Sequence, residues 1–395
     1  MNEQQESVVV IGGGPAGSAA AMALARAAVP VTIVEGSDNK AWRIGEGLPP
    51  LARPLLQQLG VWERFIDDGH LASFGNSSAW GSQKLIDHSF IFDPNGNGWH
   101  LDRHRFDEML REEATKAGAV RRSQSNVRSC RINQNGYWEL ELLSEEGLQS
   151  QIIAKFVVDA TGRKSWFARR QRVGRINYDW LAGLVTLLVP KGHQIDENSL
   201  TMVEAVREGW WYSALIPDGR LVVAYMSDGD LASTRGARRA DGWMALLKQT
   251  QHTRERIERH GYEILAGPRM VSANSSHLTR MAGESWLAVG DAAVAFDPLS
   301  SRGILTGLET AIAAVEAIQS GWLGSESALM DYANSVNDKF IEYLERRNFY
   351  YAQEQRWPES LFWRRRSRLT RKRPGSVGHQ LGNRYISGEH TRLDS

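Results

Sequence analysis

The chain of 395 residues has one cysteine, Cys130, which excludes an intramolecular disulfide and any cysteine-built metal cluster. Cys130 falls in an expected strand, Asn126 to Ile132, and is read as inert. No apolar run approaches the ~20 residues needed to cross a bilayer. Met1 to Glu6 are polar, without the basic-then-apolar pattern of an export signal. A formal net charge of +1 gives no global attraction to nucleic acid or to an anionic surface. Among the histidines only His100 and His104 share i, i+4 spacing, and they flank a helix start, so no metal site is expected. These absences point to a cytoplasmic protein with no membrane span and no nucleic-acid partner. What the chain has in excess is tryptophan, 14 in all, enough to build both a core and an aromatic-lined surface.

Val8 to Ser18 reads Val-Val-Val-Ile-Gly-Gly-Gly-Pro-Ala-Gly-Ser, and Glu35 closes the next apolar run, Val31 to Val34. A strand, a G-x-G-x-x-G turn, an Ala-rich helix and an acidic strand end, in that order, form a dinucleotide-binding fingerprint. Gly12 permits the tight turn, Gly14 lets the backbone approach a pyrophosphate, and Gly17 allows close helix–strand packing. Pro15 and Ala16 open the helix, whose amides and dipole face the phosphates. Glu35 is placed to accept hydrogen bonds from a ribose.

The dinucleotide is selected by a second signal. Trp286 to Val289 form another apolar strand that runs into Gly290-Asp291-Ala292-Ala293, where Asp291 can reach the ribityl or ribose of an extended cofactor. Phe296-Asp297-Pro298-Leu299-Ser300-Ser301-Arg302-Gly303-Ile304 follows, leading into a small-residue helix around Leu305 to Ala314. Helix-start amides aimed at an electron-rich ring edge suit the N1/C2 carbonyl region of a reduced flavin. The two signals together resemble the FAD-binding fold of aromatic hydroxylases and geranylgeranyl reductases, and FAD is the expected cofactor.

Between these signals the pattern alternates. Phe106, Met109 and Leu110 recur at i, i+3, i+4 on a helix running to Ala117, and Asn135-Gly136 marks a hairpin. Phe156 to Asp159 is a buried strand that ends in Ala160-Thr161-Gly162. From Trp166 to about Pro268, alternating segments such as Gly209 to Pro217 predict an antiparallel sheet. The expected architecture is α/β: a Rossmann-like FAD-binding domain of the glutathione-reductase/aromatic-hydroxylase type, interleaved with an antiparallel-sheet substrate domain. The FAD-binding domain takes 1–75, 100–165 and 268–335; the substrate domain takes 76–99 and 166–267; 336–395 is a helical, basic C-terminal region.

Five segments now align with one group: Gly12 to Gly17, Gly45-Glu46-Gly47-Leu48-Pro49-Pro50, Asp102-Arg103 with Phe106-Asp107, Asp159 to Gly162, and Gly290 to Ile304. They resemble flavin-dependent halogenases and related monooxygenases, and the likeness continues into Arg346-Arg347-Asn348 and Arg356-Trp357-Pro358. The Gly-Glu-x-Leu-Pro-Pro form and the tail look closest to the flavoprotein maturases of tryptophylquinone-cofactor amine oxidases and dehydrogenases. The resemblance implies oxygenation of an electron-rich ring, with tryptophan inside a precursor protein as the substrate. The flavin would be reduced by NAD(P)H directly or by a separate flavin reductase. No second G-x-G-x-x-G exists, and Thr161 to Ser165 departs from the hydroxylase segment that touches the nicotinamide.

The same resemblance assigns site residues. Asp297 and Pro298 would lie beside the flavin ring, and amides around Arg302, Gly303 and Ile304 would stabilise negative charge on it. Arg103 is a pyrophosphate or flavin contact, although Arg105 could be confused with it. Val127 would offer backbone groups to the adenine, and Asp159 and Gly162 would close the loop near the cofactor. Arg43 and Arg53 flank the polar loop; either meets a phosphate or remains a solvated charge. Glu46 serves as an acid–base group or as a loop cap. Trp210 and Tyr212 share one face of their strand, with Trp211 on the other, and are expected in the roof over the flavin. Halogenation is the alternative activity, against which Gly209-Trp210-Trp211-Tyr212-Ser213-Ala214-Leu215-Ile216-Pro217 departs from the halogenase Trp-x-Trp-x-Ile-Pro motif. Lys84 is the nearest candidate for the lysine that halogenation needs. A third reading is an FAD-bearing binding or chaperone-like partner. The run Arg364-Arg365-Arg366 with Arg368 and Arg371-Lys372-Arg373 is a solvated helix face or a dock for an acidic partner.

Overall fold

The computed structural model describes residues 5–36, 42–191 and 195–371. Lys372 and Arg373 of the basic run, and the chain after them, lie outside the described residues.

Two sheets divide the work. In the first, Gln5–Ile11 runs parallel to Val31–Val34 on one side and to Gln149–Asp159 on the other. Val120–Arg122 extends it in parallel beside Val31–Val34, and Trp286–Ala288 beside Gln149–Asp159. Val8, Val9 and Val10 are fully buried, because both faces of a parallel sheet are covered and no polar alternation is tolerated. Helix Pro15–Arg26 packs between helices Gly303–Trp322 and Arg103–Lys116. Asp102 starts the last of these by accepting from the amides of His104 and Arg105, at 2.9 and 3.1 Å. The hairpin Ser125–Ile132/Trp138–Ser144 adds to the N-terminal half of Gln149–Asp159, its turn carrying Gly136 at φ +81°.

The second sheet has seven strands, in the order Tyr262–Ser272, Leu181–Pro190, Leu221–Asp228, Gly209–Leu215, Thr201–Val206, Gly75–Ala79, Ile86–Ser89. Every pairing is antiparallel except Thr201–Val206 with Gly75–Ala79. One face carries Trp211 and Tyr225 into a core under helices Ala240–Leu247 and His252–Arg259, the first of which adds Trp243. The opposite face carries Tyr212, Ala224 and Met226 towards the first sheet.

The C-terminal helices Ala328–Gln353 and Leu361–Arg371 close the side of the molecule. Here the expectation of a solvated basic face is corrected. Arg366 is buried and donates to Asp228 Oδ1 at 2.8 Å, while Arg365 bridges Asp228 and Asp230. These two arginines anchor the helix to the second sheet; Arg364 is exposed. No helix among the described residues is long and apolar enough to cross a membrane.

Candidate active site

Where the two sheets face each other there is a cavity of about 490 Å³. Its floor begins at the glycine turn. Gly12 sits at φ +110°, and a Cβ there would run into the Ala160 carbonyl. A Cβ at Gly17 would strike the Gly12 carbonyl, so that glycine lets helix and turn close together. Gly14 differs: it borders the cavity, and a Cβ there would meet nothing within 4 Å. Glu35 accepts a hydrogen bond from the Gly13 amide, which fixes the carboxylate at the strand end.

A second helix start faces the first. Gly290, at φ +57°, would place a Cβ 2.9 Å from Ala16 Cβ, and Gly307 packs on Ala16 in the same way. Between them runs the loop to Ile304. Asp297 accepts from the Leu299 amide at 2.9 Å and from the Tyr351 hydroxyl at 2.7 Å, with Arg347 Nε at 3.3 Å. Burial pushes its carboxyl above the ordinary range, and the Arg347 charge opposes that shift. The loop is therefore held from behind by the C-terminal helix.

The segment from Arg43 to Gly47 forms the third wall. Asp107, buried on helix Arg103–Lys116, takes both Arg43 Nη1 at 2.7 Å and Arg103 Nε at 3.1 Å. Arg103 also donates to the carbonyls of Ile44 and Gly45, at 2.6 and 3.1 Å. Arg105 turns away and donates to the Asp68 carbonyl, which separates the two arginines' roles. Glu46 is buried and hydrogen-bonded to the Gly45 amide at 3.0 Å and to the Tyr212 hydroxyl. Burial raises both the carboxyl and the phenol above their usual ranges.

Most of the residues proposed from the sequence border this one cavity. They are Gly14, Pro15, Ala16, Arg43, Glu46, Arg103, Gly162, Tyr212, Gly290, Asp291, Asp297, Pro298, Arg302, Gly303 and Ile304. Others lie behind it or elsewhere. Gly12 and Gly17 shape the turn from below. Asp159 is fully buried and closes its own turn, accepting from the Thr161 and Ala168 amides at 3.0 and 2.9 Å. Val127 is buried in its hairpin strand opposite Leu142 and does not border the cavity.

Trp210 is a correction to the proposed catalytic set. It shares the Tyr212 face but is fully buried, with its indole N–H given to Tyr351 at 3.0 Å and Trp80 packed edge-on. Those contacts leave it no approach to a substrate. Lys84 is exposed and does not border the cavity. The sequence reading missed Asp107, Arg163 and Arg269 as wall residues or their anchors. Only the i, i+4 spacing of Arg103 and Asp107 could have signalled one of them.

The walls fit FAD. Helices Pro15–Arg26 and Gly303–Trp322 both begin at the cavity without side-chain caps, so their first amides are available to anionic groups. The open Cβ direction at Gly14 leaves room for close approach of a phosphate. A family model described as the FAD binding domain matches residues 5–347. The chain is 28% identical to the FAD-dependent oxidoreductase LodB of Marinomonas mediterranea over 362 residues, 91% of this chain and 96% of LodB. Among solved structures it is similar to the myxobacterial chondrochloren halogenase CndH, with TM-score 0.82 and 22% identity over 92% of this chain and 86% of that one. It is also similar to the peptidyl tryptophan dihydroxylase QhpG, essential for tryptophylquinone cofactor biogenesis, with TM-score 0.68 and 23% identity over 92% and 79%. With its glycine turn, its two helix starts and the family match all falling on one cavity, the chain belongs to the FAD binding domain family and is an FAD-dependent oxidoreductase.

Proposed function

We propose that the chain is an FAD-dependent monooxygenase that oxygenates an electron-rich aromatic ring, with a tryptophan in a precursor protein as its substrate. The observation that carries this is the composition of the cavity wall. Ala224, Met226, Val271 and Ala273 give an apolar roof, and the Tyr212–Glu46 pair is set into it. The names of LodB and QhpG support the oxidoreductase reading and the protein-borne tryptophan respectively.

Bound FAD supplies two-electron reduction and activation of O₂. The chain's own residues do the rest. The apolar roof excludes water and favours a flat ring. Glu46, whose carboxyl burial raises above its ordinary range, sits beside the Tyr212 hydroxyl and can exchange a proton with a hydroxyl or ring nitrogen placed there. The uncapped helix start at Gly303 and Ile304 would favour negative charge on a flavin held in the cavity. Pro298 closes the wall beside the Asp297 anchor. The electrons come from NAD(P)H or from a separate flavin reductase. Segments 76–99 and 166–267 furnish the substrate-facing unit, which the strand Tyr262–Ser272 carries a few residues further.

The likeness to CndH favours halogenation as a second reading; the segment Gly209 to Pro217, which departs from the halogenase Trp-x-Trp-x-Ile-Pro motif, argues against it. Mass spectrometry separates the two. The FAD-loaded, pre-reduced enzyme is mixed with air, bromide, free indoles and phenols, and a tryptophan-bearing precursor polypeptide. Oxygen gained by the precursor supports the proposal. Oxygen gained by free rings alone moves the substrate to small molecules, and bromine in any product overturns the oxygenase assignment.

A further inference from the structure

Five arginines border the cavity: Arg43, Arg103, Arg163, Arg269 and Arg302. Four of them face a carboxylate. Arg43 and Arg103 share Asp107, Arg163 lies 3.5 Å from Asp291, and Arg302 lies 3.3 Å from Glu309. Arg269 has no carboxylate partner among the described residues. Its guanidinium sits 5.7 Å from the Trp42 ring centroid and gives one hydrogen bond, to the Trp42 carbonyl at 3.3 Å. The carboxylates on the wall are engaged as well: Glu46 with Tyr212, Asp291 with Arg163, Asp297 with Tyr351 and Arg347.

The position of Arg269 in the sheet gives this a direction. Tyr212 pairs with Ala224, Ala224 with Val185, and Val185 with Arg269, so the four residues form one row across the roof. Three strand spacings of about 4.8 Å put the two ends about 14 Å apart along the backbone. One end of the row carries the Tyr212–Glu46 pair, and the other carries the Arg269 charge, which has no carboxylate partner among the described residues. Between them the roof is apolar.

We propose that Arg269 recognises a carboxylate attached to, or next to, the aromatic ring of the substrate. The idea rests on the aromatic-ring reading given above and adds the chemistry of the second anchor. The ring lies across the apolar row with its reacting edge towards Tyr212 and Glu46, and the carboxylate meets the guanidinium at the rim. Two sources supply this chemistry: a free aromatic acid, or an acidic side chain beside a tryptophan in a protein.

The test titrates the full-length, FAD-loaded chain and reads the absorbance change of its flavin. The ligands are indole, indole-3-acetate, and two blocked tripeptides with tryptophan between aspartates or between asparagines. In the unsubstituted chain the carboxylate-bearing member of one pair binds roughly tenfold to a hundredfold more tightly than its neutral member, as a charge-assisted hydrogen bond implies. Arg269→Gln abolishes that difference and Arg269→Lys keeps part of it, while FAD affinity and the affinity for the neutral ligand are unchanged. Whether the acetate or the aspartate peptide gains identifies the source. No preference in either pair, or a preference that survives Arg269→Gln, overturns the proposal. If carboxylate ligands bind in an Arg269-dependent way but neutral rings never perturb the flavin, the anion site stands and the aromatic-ring reading falls. If no ligand binds, both fall.

Discussion

Tyr351 donates its hydroxyl hydrogen to Asp297 at 2.7 Å. The same oxygen accepts the indole N–H of Trp210 at 3.0 Å, so one phenol on the C-terminal helix joins the roof sheet to the loop that borders the cavity. All three side chains are buried, so their polar groups depend on one another as partners.

Tyr351→Phe therefore leaves the Trp210 N–H without an acceptor and deprives Asp297 of a donor. Stranding buried polar groups costs about 1–3 kcal/mol. Equilibrium urea unfolding is expected to show a lower midpoint with an unchanged slope; an unchanged midpoint would mean that the junction contributes nothing.

The glycine turn separates folding from cofactor binding. Gly12→Ala brings a Cβ into the Ala160 carbonyl at a positive φ, and so destabilises the apo chain. Gly14→Ala meets no protein atom within 4 Å. It is expected to melt like the parent without cofactor and to bind FAD at least tenfold more weakly, measured by flavin fluorescence. Normal FAD affinity in Gly14→Ala would remove the pyrophosphate from this turn.

Asp107 is the common anchor of Arg43 and Arg103. Asp107→Asn keeps the shape but removes the charge that holds both guanidiniums, at a cost on the order of 1–3 kcal/mol for partly buried charged partners. Faster FAD dissociation should accompany the loss of stability. Stopped-flow release against apoprotein acceptor checks this; equal release rates would show that the Arg43–Gly47 wall holds nothing.

The Glu46 carboxyl is raised by burial in the folded chain above its ordinary value of 4.5. The folded state then holds more protons than the unfolded state above that pH. Stability from this group is complete below about 4.5 and is lost as pH rises through the folded value. Glu46→Gln removes the dependence, so the melting temperature of the variant minus that of the parent should increase as pH rises above about 4.5. A difference that is flat or falls with pH would show that Glu46 is ionised in the folded protein.

The parts of the site that were legible in the sequence are those coded by contiguous residues. Gly12 to Gly17 and Gly290 to Ile304 each carry a turn and a helix start within one short segment, and both segments border the cavity. The partners that organise the walls come from far along the chain. Arg43 meets Asp107 across 64 positions, Tyr351 meets Asp297 across 54, and Arg269 meets Trp42 across 227. No local periodicity encodes such pairs. Trp210 illustrates the limit from another side: alternation gave the face it shares with Tyr212, but the helices that bury it come from the other end of the chain. The basic run near Arg366 failed similarly, because its carboxylate partner Asp228 is 138 positions away.

The most direct test of the whole account follows the oxygen atom. The FAD-loaded chain is reduced without air, given a tryptophan-bearing precursor polypeptide and bromide, and exposed to isotopically heavy O₂. Mass spectrometry of the digested precursor should then find heavy oxygen on a tryptophan ring, with no bromine. Bromine on the ring, or an unmodified precursor with all reducing equivalents recovered as hydrogen peroxide, would contradict the account.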